Sequence, residues 1–161
     1  MTRFRTRSRR LLLAAASLAL APGACGLGPF GPAGPADELR AARAEWERQG
    51  IASYRYSISR SCGECVPGAD APARVEVRDG RPVSVTALNP ARPIRPELFE
   101  SFDTVEELFA TVEEVIAGDP FRFSASYDSR LGYPLEYSAD LDREYVDDER
   151  GFIIQDFEVI R

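Results

Sequence analysis

The sequence predicts an α+β fold in which an antiparallel sheet of about six strands carries two helices on one face. Three observations predict it. Several short segments alternate apolar and polar residues at period two, two longer segments repeat their apolar residues at helical spacing, and short turns join the strands into the order helix, three strands, helix, three strands.

The first helix is predicted over Asp37 to Gln49, with Asp37 as N-cap, Leu39, Ala42 and Trp46 along one side, and Gly50 as the stop. Ser53 to Ser59 follows as a half-buried strand with Tyr54, Tyr56 and Ile58 on one face and Arg55, Ser57 and Ser59 on the other. Arg74 to Val77 and Val83 to Ala87 make a hairpin across Asp79-Gly80, the strongest short-range turn signal in the chain. Pro90, Pro93 and Pro96 mark Asn89 to Pro96 as a connecting loop. The second helix is predicted over residues 104–118, capped by Asp103 or Ser101, with Val105, Leu108, Phe109, Val112 and Ile116 on its apolar side.

Phe121 to Asp140 then reads as a complete hairpin around which the rest is arranged. Phe121, Phe123, Ala125 and Tyr127 share one face, Leu135, Tyr137 and Ala139 do the same after the bend, and Asp128, Ser129 and Gly132 supply the turn. The last strand is predicted over Phe152 to Ile160, with Ile153, Phe157 and Val159 on one side and Asp156 and Glu158 on the other. This αβββ-αβββ order points to a two-layer sandwich of the cystatin or PepSY type, although no residue-level self-similarity proves a duplication.

Residues 1–24 hold five Arg and no acid, and an apolar run from Leu11 ends at Ala24. That is an export signal, and the run is shorter than the roughly 20 residues that cross a bilayer core. Ser8-Arg9-Arg10 with the following leucines also resembles a twin-arginine motif. Gly23-Ala24-Cys25 looks like a lipobox that would leave a diacylated, palmitate-bearing Cys25 as the new N-terminus and anchor the protein to the outer face of the cell membrane or in the periplasm. Pro22 stands where such boxes carry Leu, and the alternative is ordinary cleavage to a soluble secreted protein. Residues 25–36 are a Gly/Pro-rich tether, and residues 37–161 are one domain, expected to be a monomer.

The leader holds five of the 20 cationic residues, all of which are Arg, so the exported chain carries 15 Arg against 26 acids. Residues 101–161 alone hold 16 acids and five Arg. Such a surface repels nucleic acid and anionic headgroups, which leaves a protein or small molecule as the expected partner.

With no His in the chain, Ser/His/Asp and Cys/His catalysis and His-containing zinc sites are excluded within one chain. No phosphate-binding Gly-rich loop is present, no catalytic constellation is recognisable and no cofactor is implied. Cys62-Gly63-Glu64-Cys65 can form a structural disulfide, exchange thiols, or share a metal ion with a partner. The segment follows a strand rather than opening a helix, and Glu64 would raise the thiol pKa, so the structural reading leads. Asp140, Asp142 and Glu144 place hard oxygen donors at alternate positions suited to a weak Ca²⁺ site, yet Tyr145 and Gly151 stand where an EF-hand carries Gly and Glu. The tyrosines at strand spacing are either core residues with a wet hydroxyl or interface anchors.

Trp46, Tyr54-x-Tyr56 running into the cysteines, Val75-x-Val77-x-Asp79-Gly80, Leu108-Phe109, Tyr127-Asp128 with Gly132-Tyr133-Pro134, and Asp147-Asp148-Glu149 together resemble the DUF6174 family of bacterial envelope proteins and predicted lipoproteins. The resemblance covers most of residues 44–160. It implies an exported single domain with no assigned activity, and it carries over no catalytic residue.

Overall fold

The computed structural model describes residues 33–144 and 148–160. The leader, Cys25 and most of the tether lie outside the described residues. Along the chain run α1 (Pro35–Gln49), β1 (Tyr54–Cys62), β2 (Ala73–Arg78), β3 (Arg81–Ala87), a 3-10 helix (Pro96–Phe102), α2 (Val105–Ala117), β4 (Arg122–Tyr127), β5 (Pro134–Asp140) and β6 (Arg150–Val159). The six strands form one antiparallel open sheet in the order β3-β2-β1-β6-β5-β4, so the class is α+β. The first and last strands lie side by side at its centre. The hairpin of residues 121–140 is therefore not the hub but one edge, because β4 has a neighbour on one side only.

The two halves of the chain also differ in sense. In the first half the central strand is the first of three, and in the second it is the last. A simple repeat of one αβββ unit would not place its equivalent strands that way.

Helix starts differ from the sequence expectation for local reasons. Pro35 and Ala36, expected in the tether, form the first turn of α1, because proline at N1 has its φ preset and gives up an N–H that has no partner there anyway. Gly34 is the N-cap, and Asp37, expected as the cap, sits three residues further on, where its Oδ2 accepts the Gly34 N–H at 3.4 Å. In α2 the cap is Thr104 rather than Asp103 or Ser101, with its hydroxyl oxygen accepting the Glu107 N–H at 3.1 Å. The 3-10 helix that precedes it was not expected. Its Phe99 is fully buried, which fixes the segment against the core despite the prolines before it.

Both helices pack on the same side of the sheet. Tyr54, Tyr56 and Ile58 of β1, Val75 and Val77 of β2, Tyr137 and Ala139 of β5, and Phe152 and Ile154 of β6 share that side with Trp46 of α1 and Leu108, Phe109 and Val112 of α2. The edge hairpin keeps its expected alternation, with Phe123, Ala125, Tyr127 and Leu135 also against the core, while Phe121 precedes β4 and is exposed.

The last strand departs from a simple alternation. Arg55 pairs with Glu158 but Ser57 pairs with Gln155, so Asp156 and Phe157 together face Tyr56 across a β-bulge, with Asp156 at φ 50°. The bulge inverts the phase. Phe152 and Ile154 point inward before it and Phe157 after it, so Ile153 lies on the outer side, 45 % exposed, and not with Phe157 as period two predicts; Val159 is exposed at the strand's end.

One glycine joins the edge hairpin to α1. At Gly132, φ 86°, an added Cβ would lie 2.4 Å from the Ala42 carbonyl and 2.7 Å from the Trp46 nitrogen. Gly50, φ 60°, has open space around it. Gly132→Ala is therefore expected to cost at least about 2 kcal/mol and Gly50→Ala about 1 kcal/mol, the latter being backbone strain alone. Denaturant midpoints of the two variants check this; equal losses would mean that the turn does not dock on α1.

Candidate functional site

The helices, the 3-10 helix and the aromatic core occupy one side of the sheet, and the alternate residues of every strand face the other. Serine and threonine recur there among charged residues: Ser57 and Ser59 on β1, Ser84 and Thr86 on β3, Ser124 and Ser126 on β4, Ser138 on β5. Short side chains alternate there with ion pairs. Arg55 donates from Nε and Nη2 to one oxygen of Glu158, at 2.9 and 2.6 Å. Around the bulge, the Ser57 hydroxyl donates to Asp156 at 3.0 Å and accepts from Arg74 at 3.3 Å, with Arg74 and Asp156 3.7 Å apart. Ser57 is thereby satisfied although it is only 3 % exposed. Beside this polar network stands the exposed side chain of Ile153, paired across the sheet with Ser59 and Glu136. The arrangement suits broad hydrogen bonding around one apolar anchor.

Sequence reasoning placed Ile153, Asp156 and Arg74 only as strand residues and gave none of them a place in a site. A bulge whose positive φ falls on Asp rather than Gly leaves no turn signature, and asparagine-like tolerance of that conformation was the one clue available.

Cys62 and Cys65 stand at disulfide distance, with Cα atoms 5.3 Å apart. Cys62 ends β1 and Cys65 is followed by an irregular segment, so no helix N-terminus acts on either sulfur. In the acidic loop, Asp142 turns one oxygen onto the Glu144 N–H at 2.8 Å. Among the described residues no three acids, thiols or imidazoles converge as a metal-binding group. Residues 145–147 of that loop, and with them Asp147 and Tyr145, lie outside the described residues.

The tyrosines that the structure describes belong to the core. Tyr54 and Tyr56 are fully buried, and Tyr133 and Tyr137 nearly so. Burial raises the pKa of each hydroxyl, that of Tyr127 to about 12, so all remain protonated near neutral pH. Among the shallow hollows of the described residues are these two. One, of about 350 Å³, lies between loops at Gly68, Asp70, Arg92 and Arg95, where Arg92 and Asp70 pair at 2.9 Å. The other, of about 320 Å³, lies at the edge hairpin between Arg122, Ser124, Ser138 and Asp140.

Asp103, at the joint between the 3-10 helix and α2, has its pKa raised by partial burial first and by the charges of Glu107 and Glu100 second. A carboxyl with a raised folded-state pKa favours folding in its protonated form, so its contribution is full below the ordinary value of 3.8 and is lost as pH rises through the folded value. Asp103→Asn is expected to raise the melting temperature at pH 7 and to leave it unchanged near pH 3. Melting curves of both proteins across that range check the sign.

The sequence model of DUF6174, a family of unknown function, matches residues 38–159. No curated protein and no solved structure matches the chain.

Proposed function

The chain belongs to the DUF6174 family, and from that premise we propose that it is an exported, non-enzymatic module of the cell envelope, tethered by lipid on Cys25, that docks a protein partner on the open face of its sheet. The observation that carries this reading is the asymmetry of the sheet: the helices pack on one side, and the other presents a polar surface of short and charged side chains with Ile153 exposed between ion pairs. Sheets covered on one side by two helices in this way are the basis for the cystatin- or PepSY-like two-layer description. The leader of residues 1–24, with its five Arg and apolar run ending before Cys25, supports export, and a tether shortened by the early start of α1 would hold the domain close to the bilayer. The net acidity disfavours nucleic acid as the partner.

Expression in a bacterial host followed by membrane fractionation and intact-mass analysis is expected to find an acylated N-terminal Cys25. A soluble product cut near Ala24, or one with its leader intact, removes the anchor from the reading. Photo-crosslinkers placed at Ile153 and Ser126 are expected to trap a partner that a crosslinker at Arg48 on α1 does not; equal yields at all three positions would remove the sheet face.

A second reading, thiol exchange or metal handling through Cys62 and Cys65, is favoured only by their proximity. Replacing both by Ser is expected to lower stability by about 2 kcal/mol or less, as for a short closed loop, and to leave the crosslinking pattern unchanged. Loss of partner capture by a folded double variant would favour the thiol reading instead.

A further inference from the structure

We propose that the inner rim of the sheet, where β1 and β6 meet the 3-10 helix, binds the carboxylate group of a small organic acid between Arg60 and Arg150.

The sheet register brings the two arginines together. Arg60 continues the inward row of Tyr54, Tyr56 and Ile58 and lies opposite Phe152, while Arg150 lies opposite Cys62 and Ala139, on the same side of the sheet. They are diagonal neighbours on adjacent strands, a separation that long side chains bridge. Eight arginines of the described chain stand against a carboxylate. Arg60 and Arg150 do not, and of the described arginines without such a partner Arg60 is the one that is not exposed.

Arg60 is held in place without being neutralised. Its Nη1 donates to the Leu98 carbonyl at 2.6 Å, and its guanidinium carbon lies 4.0 Å from the centre of the Phe102 ring and 5.3 Å from that of Phe99. Of the five donors of a guanidinium, that leaves most unused. A desolvated cation without a counter-ion is costly, and the cost is recovered when an anion arrives. Burial accordingly lowers the pKa of Arg60.

Tyr137 completes the group. Phe102 meets Phe152 at 6.2 Å and Phe152 meets Tyr137 at 4.8 Å, so the ring is linked to the arginine through two aromatic contacts. Tyr137 is itself 4 % exposed and brings a hydroxyl to the group. Burial keeps that hydroxyl protonated, and the charges of Arg150, Arg60 and Glu114 all reach it.

The planar fork of Arg60 matches carboxylate geometry.

Sodium benzoate is the probe, added to the intact protein while the arginine Nε–Hε signals are followed by NMR, with sodium chloride at matched ionic strength and inorganic phosphate as separate arms. The expected result is a saturable shift of the Arg60 and Arg150 signals with benzoate and none with chloride. Arg150→Gln, at an exposed position, is expected to weaken binding about tenfold, the loss of one charged hydrogen-bonding partner. Arg60→Lys keeps the charge but not the fork and is expected to weaken it as well. No saturable shift in the wild type, or unchanged affinity in Arg150→Gln, overturns the site; tighter binding of phosphate than of benzoate overturns the carboxylate assignment.

Discussion

One carboxylate holds the two layers together. Glu106, in the first turn of α2, accepts from the Trp46 Nε1 of α1 at 3.0 Å and from the Tyr54 hydroxyl of β1 at 3.3 Å, and the Tyr54 oxygen accepts the Val105 N–H at 2.9 Å. Both helices and the central strand thus meet at one side chain. An acid in the first turn of a helix also lies against the positive end of the helix dipole, so its charge is compensated where it is needed. Losing the Glu106 carboxylate would leave the donors of the buried Trp46 and Tyr54 unpaired, at a cost of about 1–3 kcal/mol. Tyr56 extends the same device by donating to the Phe102 carbonyl at 2.6 Å, which ties the 3-10 helix to β1.

Around these hydrogen bonds the aromatic rings set the spacing of the layers. Trp46 meets Tyr54 and Phe157 edge-on at 5.3 and 5.9 Å, and Tyr133 stacks on Phe157 at 4.0 Å. Phe157 reaches that position only because the bulge at Asp156 advances the strand by one residue. A backbone irregularity on the outer side is therefore coupled to ring packing on the inner side, and the Ser57–Asp156–Arg74 network that satisfies the bulge is part of what keeps the core in register.

The central pairing joins residues 54–62 to residues 150–159. Four of the six strands and α2 lie between these two strands in the chain, so the sheet's centre closes through contacts of very high sequence separation. Each outer hairpin can form locally, but neither has a complete core until β1 and β6 meet. The described residues fall in one compact unit for that reason: the last strand completes the core begun by the first.

Local signals made much of this legible in the sequence. The alternation of Tyr54, Tyr56 and Ile58, the helical spacing of Leu108, Phe109 and Val112, the Asp79-Gly80 turn and the Gly50 stop are each written in a few adjacent residues, and each is governed by backbone preference or by which side of an element is apolar. The absence of His and the distribution of Arg and acids are likewise properties of the sequence alone. What the tertiary structure decided is everything that depends on strand partners: that β1 and β6 are central and the 121–140 hairpin is an edge, that Ile153 faces outward, that Tyr137 and Arg60 share a rim, and that Glu106 rather than a flanking acid bridges the layers. Pairing between distant strands and a one-residue bulge are set by the free energy of the whole core, and no short window of residues carries that information.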